Sequence, residues 1–160
     1  MKDATPSQAV RAPLPNRMPW LYGSTLAVMA LTGFGQMPIY NRYYLSDLPG
    51  FGWLADFYAT RHLHYIGAAV LLGILAFVAF DYLFLQRRRA RLTATGGLRL
   101  GLLAGIVVSG ALIVVKNFPH VHFSDGAVIG LNLFHMGTVM VFLLTNLICR
   151  LTRKRWTAAR

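Results

Sequence analysis

Apolar residues in this chain fall in four long runs. Met18–Ile39, Leu100–Val115 and Gly126–Cys149 contain no charged side chain, and Leu63–Leu85 is broken only by Asp81 near its end. A bilayer core needs about 20 apolar residues per helix, with about 17 tolerated. The run from Leu100 sits at that lower limit, and Leu98 with the flanking Arg99 and Lys116 extends it, because their aliphatic stems lie along apolar surface. The pattern predicts an all-α fold, an integral membrane four-helix bundle with spans near 18–38, 61–86, 98–117 and 126–150.

A hydrophobic share of 56% in 160 residues does not separate a membrane protein from a small globular domain. The placement of charge does. Of 16 Lys and Arg, 13 fall in the segment before the first run, the connection 87–99 and the segment after the last run. The opposite side has Arg42, Arg61 and Lys116, with Asp47, Asp56 and Asp125 alongside. Positive residues gather on the cytoplasmic side of membrane proteins, so both termini are expected to be cytoplasmic, in a multi-pass protein of a bacterial inner membrane. The basic segments can also touch anionic lipid headgroups. Because the spans account for the net charge of +11, no nucleic-acid partner is expected.

Residues 1–17, polar and carrying three prolines, read as a flexible basic tail, and 151–160 as a basic tail. The first lacks the h-region and cleavage site of a signal peptide, so the first span is expected to be retained. A single cysteine, Cys149, excludes a disulfide framework and a cysteine-ligated cluster.

The outer loop 39–60 is rich in Tyr, Trp and Phe, which reads as an aromatic belt at the interface or as a docking surface for an extramembrane partner. Its second half, "FGWLADFYATR", can form a short interfacial helix. In "FPHVHFSDGAV" a helix ends at Pro119, and Ser124 or Asp125 caps the next. Asp125 is read as a cap and not as a catalytic acid. Glycines recur in all four spans, serving either close helix packing or room for a flat ligand, and no internal repeat is evident.

The five histidines lie in the outer half of this topology: His62 and His64 open the second span, His120 and His122 lie between the third and fourth, and His135 alone is inside an apolar run. Ionisable residues within a bilayer are costly and mark function; the bland alternative for His135 is a hydrogen bond to a neighbouring helix. Residues two apart on a helix point about 200° apart, so His62 and His64 cannot both face inward. His64 has Gly67 and Ala68 one turn on, a small-residue face on which a porphyrin could lie, and is the candidate inward ligand. His62 is left near water, as an interfacial residue or a contact to a quinone or a haem propionate.

Two imidazoles from facing helices suit the iron of a bis-histidine b-type haem, one on each side. Zinc would favour three or four ligands or carboxylates, and a proton relay would want an acid in mid-membrane, where there is none. With spans starting at 61 and 126, His135 lies on the order of 10 Å deeper than His64. Helix tilt or a different helix start would have to absorb that gap, and otherwise His120 or His122 replaces His64 as the partner of His135.

With "HLHYIGAA" opening the second span and "LNLFHMGTV" in the fourth, the chain resembles the four-helix cytochrome b membrane subunits of respiratory oxidoreductases. Examples are the gamma subunits of formate dehydrogenases and the cytochrome b subunits of nickel–iron hydrogenases. The resemblance covers residues 18–150. It implies an outer haem held by His64 and His135. It also implies an inner haem, whose histidines should stand at the inner ends of the first and fourth spans. Those ends read "NRMPWLYG" and "TNLICR", with Asn146 and Cys149 in the place of the second ligand. One outer-side haem b is therefore expected. The implied function is electron transfer between membrane quinone and an iron–sulfur or other redox subunit at the outer face, with His62, His120 or His122 offering a proton or hydrogen bond. The subunit would not be catalytic alone. The alternative is a haem-free membrane anchor or structural subunit of a multi-subunit membrane complex.

Overall fold

The computed structural model describes residues 17–37, 39–40, 47–86, 88 and 90–159. The tail expected over 1–17 lies outside the described residues up to position 16, as does the loop segment 41–46. The helices are α1 (Met18–Gly35), α2 (Phe57–Phe80, running on as a π-helical stretch Asp81–Gln86), α3 (Ala94–Val115) and α4 (Asp125–Leu151). A two-stranded antiparallel ribbon pairs β1 (Ala90–Leu92) with β2 (Thr157–Ala159).

Among the described residues three helices are long and apolar enough to cross a membrane: Phe57–Gln86 with 30 residues, Ala94–Val115 with 22 and Asp125–Leu151 with 27. The first, α1, is not among them. It has 18 residues, stops ahead of Pro38, and carries Trp20, Tyr22, Ser24, Thr25 and Thr32 among its aliphatic residues.

The chain divides into two compact units, Met1–Tyr82 and Leu83–Arg160. In the first, α1 packs against α2 in antiparallel sense: Met29 meets Gly67, Thr32 meets His64, and Gly35 meets Thr60. The buried stripe of α2 is Thr60, Gly67, Leu71 and Ile74, at intervals of seven, four and three residues that keep one face on α1. The end of this pair at the start of α2 is closed by a 3₁₀ turn, Gly52–Ala55, whose Leu54 is buried against Gly35. Tyr40 is buried and its hydroxyl donates to the Phe51 carbonyl at 2.7 Å. Trp53, Phe57 and Tyr58 of the same outer segment stay exposed.

The start of α2 lies four residues before the expected 61. The Asp56 carboxylate caps it, accepting from the Tyr58 and Ala59 amides at 2.9 and 3.0 Å. The charge of Arg61 is accommodated inside the first turns: its guanidinium lies over the rings of Phe57 and Tyr65, 5.7 and 5.5 Å from their centroids.

In the second unit α3 and α4 are also antiparallel, with Gly105 against Thr138 and Ser109 against His135. Ser124 caps α4, accepting from the Ala127 amide, and Asp125 is the first helical residue. Next to the first turn of α3, the ribbon joins the connection that precedes this helix to the segment that follows α4. Thr93 caps α3 through its hydroxyl and also reaches the carbonyls of Arg155 and Trp156. Arg99, 4% exposed, donates to the Thr95 and Lys154 carbonyls and stacks on Trp156 at 4.2 Å. A buried guanidinium needs such partners, and the returning tail supplies them.

Candidate functional site

Each unit holds one half-buried histidine bonded to a hydroxyl on its partner helix. In the first, His64 Nδ1 lies 3.0 Å from Thr32 Oγ1. In the second, His135 Nδ1 lies 2.8 Å from Ser109 Oγ. A glycine follows each hydroxyl residue in sequence, and the ring packs on it. A Cβ on Gly33 would stand 3.3 Å from His64 Cε1 and 3.8 Å from Nδ1. On Gly110 the distances to the same atoms of His135 would be 3.2 and 3.7 Å. The two units thus repeat one local device: Thr-Gly or Ser-Gly on the leading helix, His on the returning one.

Both hydroxyls also bond to their own helix. Thr32 Oγ1 is 2.8 Å from the Val28 carbonyl, and Ser109 Oγ is 2.7 Å from that of Gly105. Hydrogen bonds between membrane helices average about 0.6 kcal/mol, too little to account for the pairing of α1 with α2 or α3 with α4. Close packing does that. Gly67 lets α1 approach, since a Cβ there would meet Met29 Sδ at 2.8 Å, and Gly105 leaves room for Thr138 and Phe134. Gly67 therefore faces α1, and Ala68 beside it is half-buried.

Measured along its own helix, His64 lies about 10 Å from the start of α2 and His135 about 15 Å from the start of α4. His62 is exposed, and its Nδ1 bonds to the Tyr58 carbonyl at 2.7 Å. His120 and His122 are exposed in the connection between α3 and α4, His120 with a positive φ of 67°. At the inner end of α4 the Asn146 amide donates to the Phe142 carbonyl, and Cys149 is buried as a free thiol. Among the described residues no group of three or more His, Cys, Asp or Glu stands together as a metal site.

Thr32 and Ser109 drew no attention in the sequence. The signal that could have found them is the hydroxyl-glycine pair, present in the helix before each inward histidine. Comparison with family models, with curated proteins and with solved structures gives no match.

Proposed function

We propose that this chain is a b-type cytochrome subunit, a four-span protein with both termini cytoplasmic that holds one outer-side haem b through His64 and His135. It would carry electrons between an iron–sulfur or similar subunit at the outer face and membrane quinone, with activity belonging to the complex. The observation that carries this reading is the repeated imidazole–hydroxyl pair. Low-spin haem takes one imidazole nitrogen on each side, and a ligating imidazole gives its other ring N–H to an acceptor on the protein. His64 and His135 both have that acceptor.

Each ring is held at Nδ1 by the hydroxyl of its own unit, so Nε2 is the nitrogen that either would offer to iron. When bound, haem b supplies a one-electron couple at its iron. The chain's own residues orient the two imidazoles, and Gly33 and Gly110 leave space where those rings lie. His62, His120 and His122 are proposed as proton or hydrogen-bond contacts at the outer edge. As a fourth span, α1 would reach about 27 Å, close to the roughly 30 Å of a bilayer core, and the sidedness of the basic residues supports the orientation.

The same hydrogen bonds would also satisfy purely structural histidines in a haem-free anchor. A reduced-minus-oxidised spectrum of the purified chain separates the two: b-type bands are expected, and their absence sinks the cytochrome reading. Gly110→Ala is a finer test. The added Cβ forces the His135 ring to retreat by a few tenths of an ångström, and a roughly 10-fold loss of haem affinity is expected in a haem-titration assay, within the range seen when such supporting contacts are disturbed.

A further inference from the structure

We infer that Thr32 and Ser109 are positioning residues that fix the tautomer of the two histidines; their effect on iron rests on the cytochrome reading above. A hydroxyl has one proton to give, and a backbone carbonyl can only accept. Ser109 Oγ stands 2.7 Å from the Gly105 carbonyl and 3.1 Å from that of Ile106, so its proton is committed to its own helix. The bond to His135 at 2.8 Å then requires Nδ1–H to donate to the serine oxygen. Thr32 repeats the arrangement, with carbonyls of Val28 and Met29 at 2.8 and 3.3 Å and His64 Nδ1 at 3.0 Å. In both units the proton sits on Nδ1 and the lone pair on Nε2, which is the form that can ligate iron.

Two further consequences follow from the same bonds. The glycine next to each hydroxyl lets the ring lie against the leading helix, so the bond sets the ring's plane as well as its tautomer. A donated Nδ1–H also makes an imidazole a more basic ligand, which favours ferric iron. Losing the acceptor should therefore move the haem potential upward.

The test uses the full chain. In the haem-free protein labelled with 15N-histidine, the shifts of His64 and His135 are expected to show a protonated Nδ1 and an unprotonated Nε2. The opposite tautomer at either residue overturns the inference there, whether or not haem ever binds. In the haem-loaded protein, Ser109→Ala and Thr32→Val are expected to raise the midpoint potential, change the low-spin ferric EPR signal and weaken haem retention about 10–100-fold. Ser109→Thr and Thr32→Ser keep the hydroxyl and should restore all three. A variant that fails to hold haem supports the inference only if its hydroxyl-keeping counterpart holds it. Loaded Ser109→Ala and Thr32→Val proteins with wild-type potential and EPR signal would overturn the positioning role while leaving the cytochrome reading intact. A wild-type chain that binds no haem would sink that reading and leave the tautomer result standing.

Discussion

His135→Ala is expected to abolish the b-type spectrum while the chain still inserts in the membrane. The imidazole would be one of the two that hold the haem iron. What the helix pair loses is small. Ser109 keeps its bond to the Gly105 carbonyl, so no donor is orphaned, and the missing hydrogen bond is worth about 0.6 kcal/mol. Gly105 against Thr138 and Phe134 still holds α3 to α4. His64→Ala should behave in the same way, since Thr32 retains the Val28 carbonyl. Added free imidazole should partly restore the spectrum by entering the space left. If His64→Ala keeps its haem and a change at His120 or His122 loses it, the second ligand lies in the outer connection. If His135→Ala keeps its haem, the ligand assignment fails at its centre.

Gly96→Ala is expected to release the inner ribbon and to leave the spectrum unchanged. The new Cβ would fall on the Trp156 carbonyl oxygen and 2.9 Å from its carbonyl carbon. Those atoms are backbone, so no rotamer change relieves the clash, and Trp156 has to move. With it go the Thr93 amide bond to Trp156 at 3.0 Å and the stacking of Trp156 on Arg99. Overpacking of this kind costs about 1–3 kcal/mol, and here it also strips partners from a guanidinium that is 4% exposed. Limited trypsin digestion from the inner side should then cut within Arg150–Arg155 much faster than in the wild type. Gly96 is about 20 Å along α3 from Ser109, far enough for the histidine pair to be undisturbed. Unchanged digestion would show that the ribbon does not shield this segment.

The helices were legible because lipid-length apolar runs and glycine, proline and charge punctuation are local signals. Their ends were less so. The helix α2 starts four residues ahead of the span expected from 61, where Asp56 forms the cap and flanking aromatics accommodate Arg61. The ribbon was missed because three-residue strands have no period to detect, and 157–159 pair with 90–92 only once the tail has folded back.

The histidines stood out by chemistry alone, as imidazoles where the chain is otherwise apolar. Their partners could not. Thr25, Thr138 and Thr145 each bond to a carbonyl one turn back on their own helix, as Thr32 and Ser109 do. In a one-dimensional reading all five are hydroxyls satisfying themselves within an apolar helix. Composition and hydropathy therefore determined that this protein has membrane-length helices and that His64 and His135 are its unusual side chains. Helix pairing alone decided which hydroxyls those rings meet and which ring nitrogen they engage. A hydrogen bond between residues 26 or 32 positions apart depends on how two helices cross, and no local pattern encodes that.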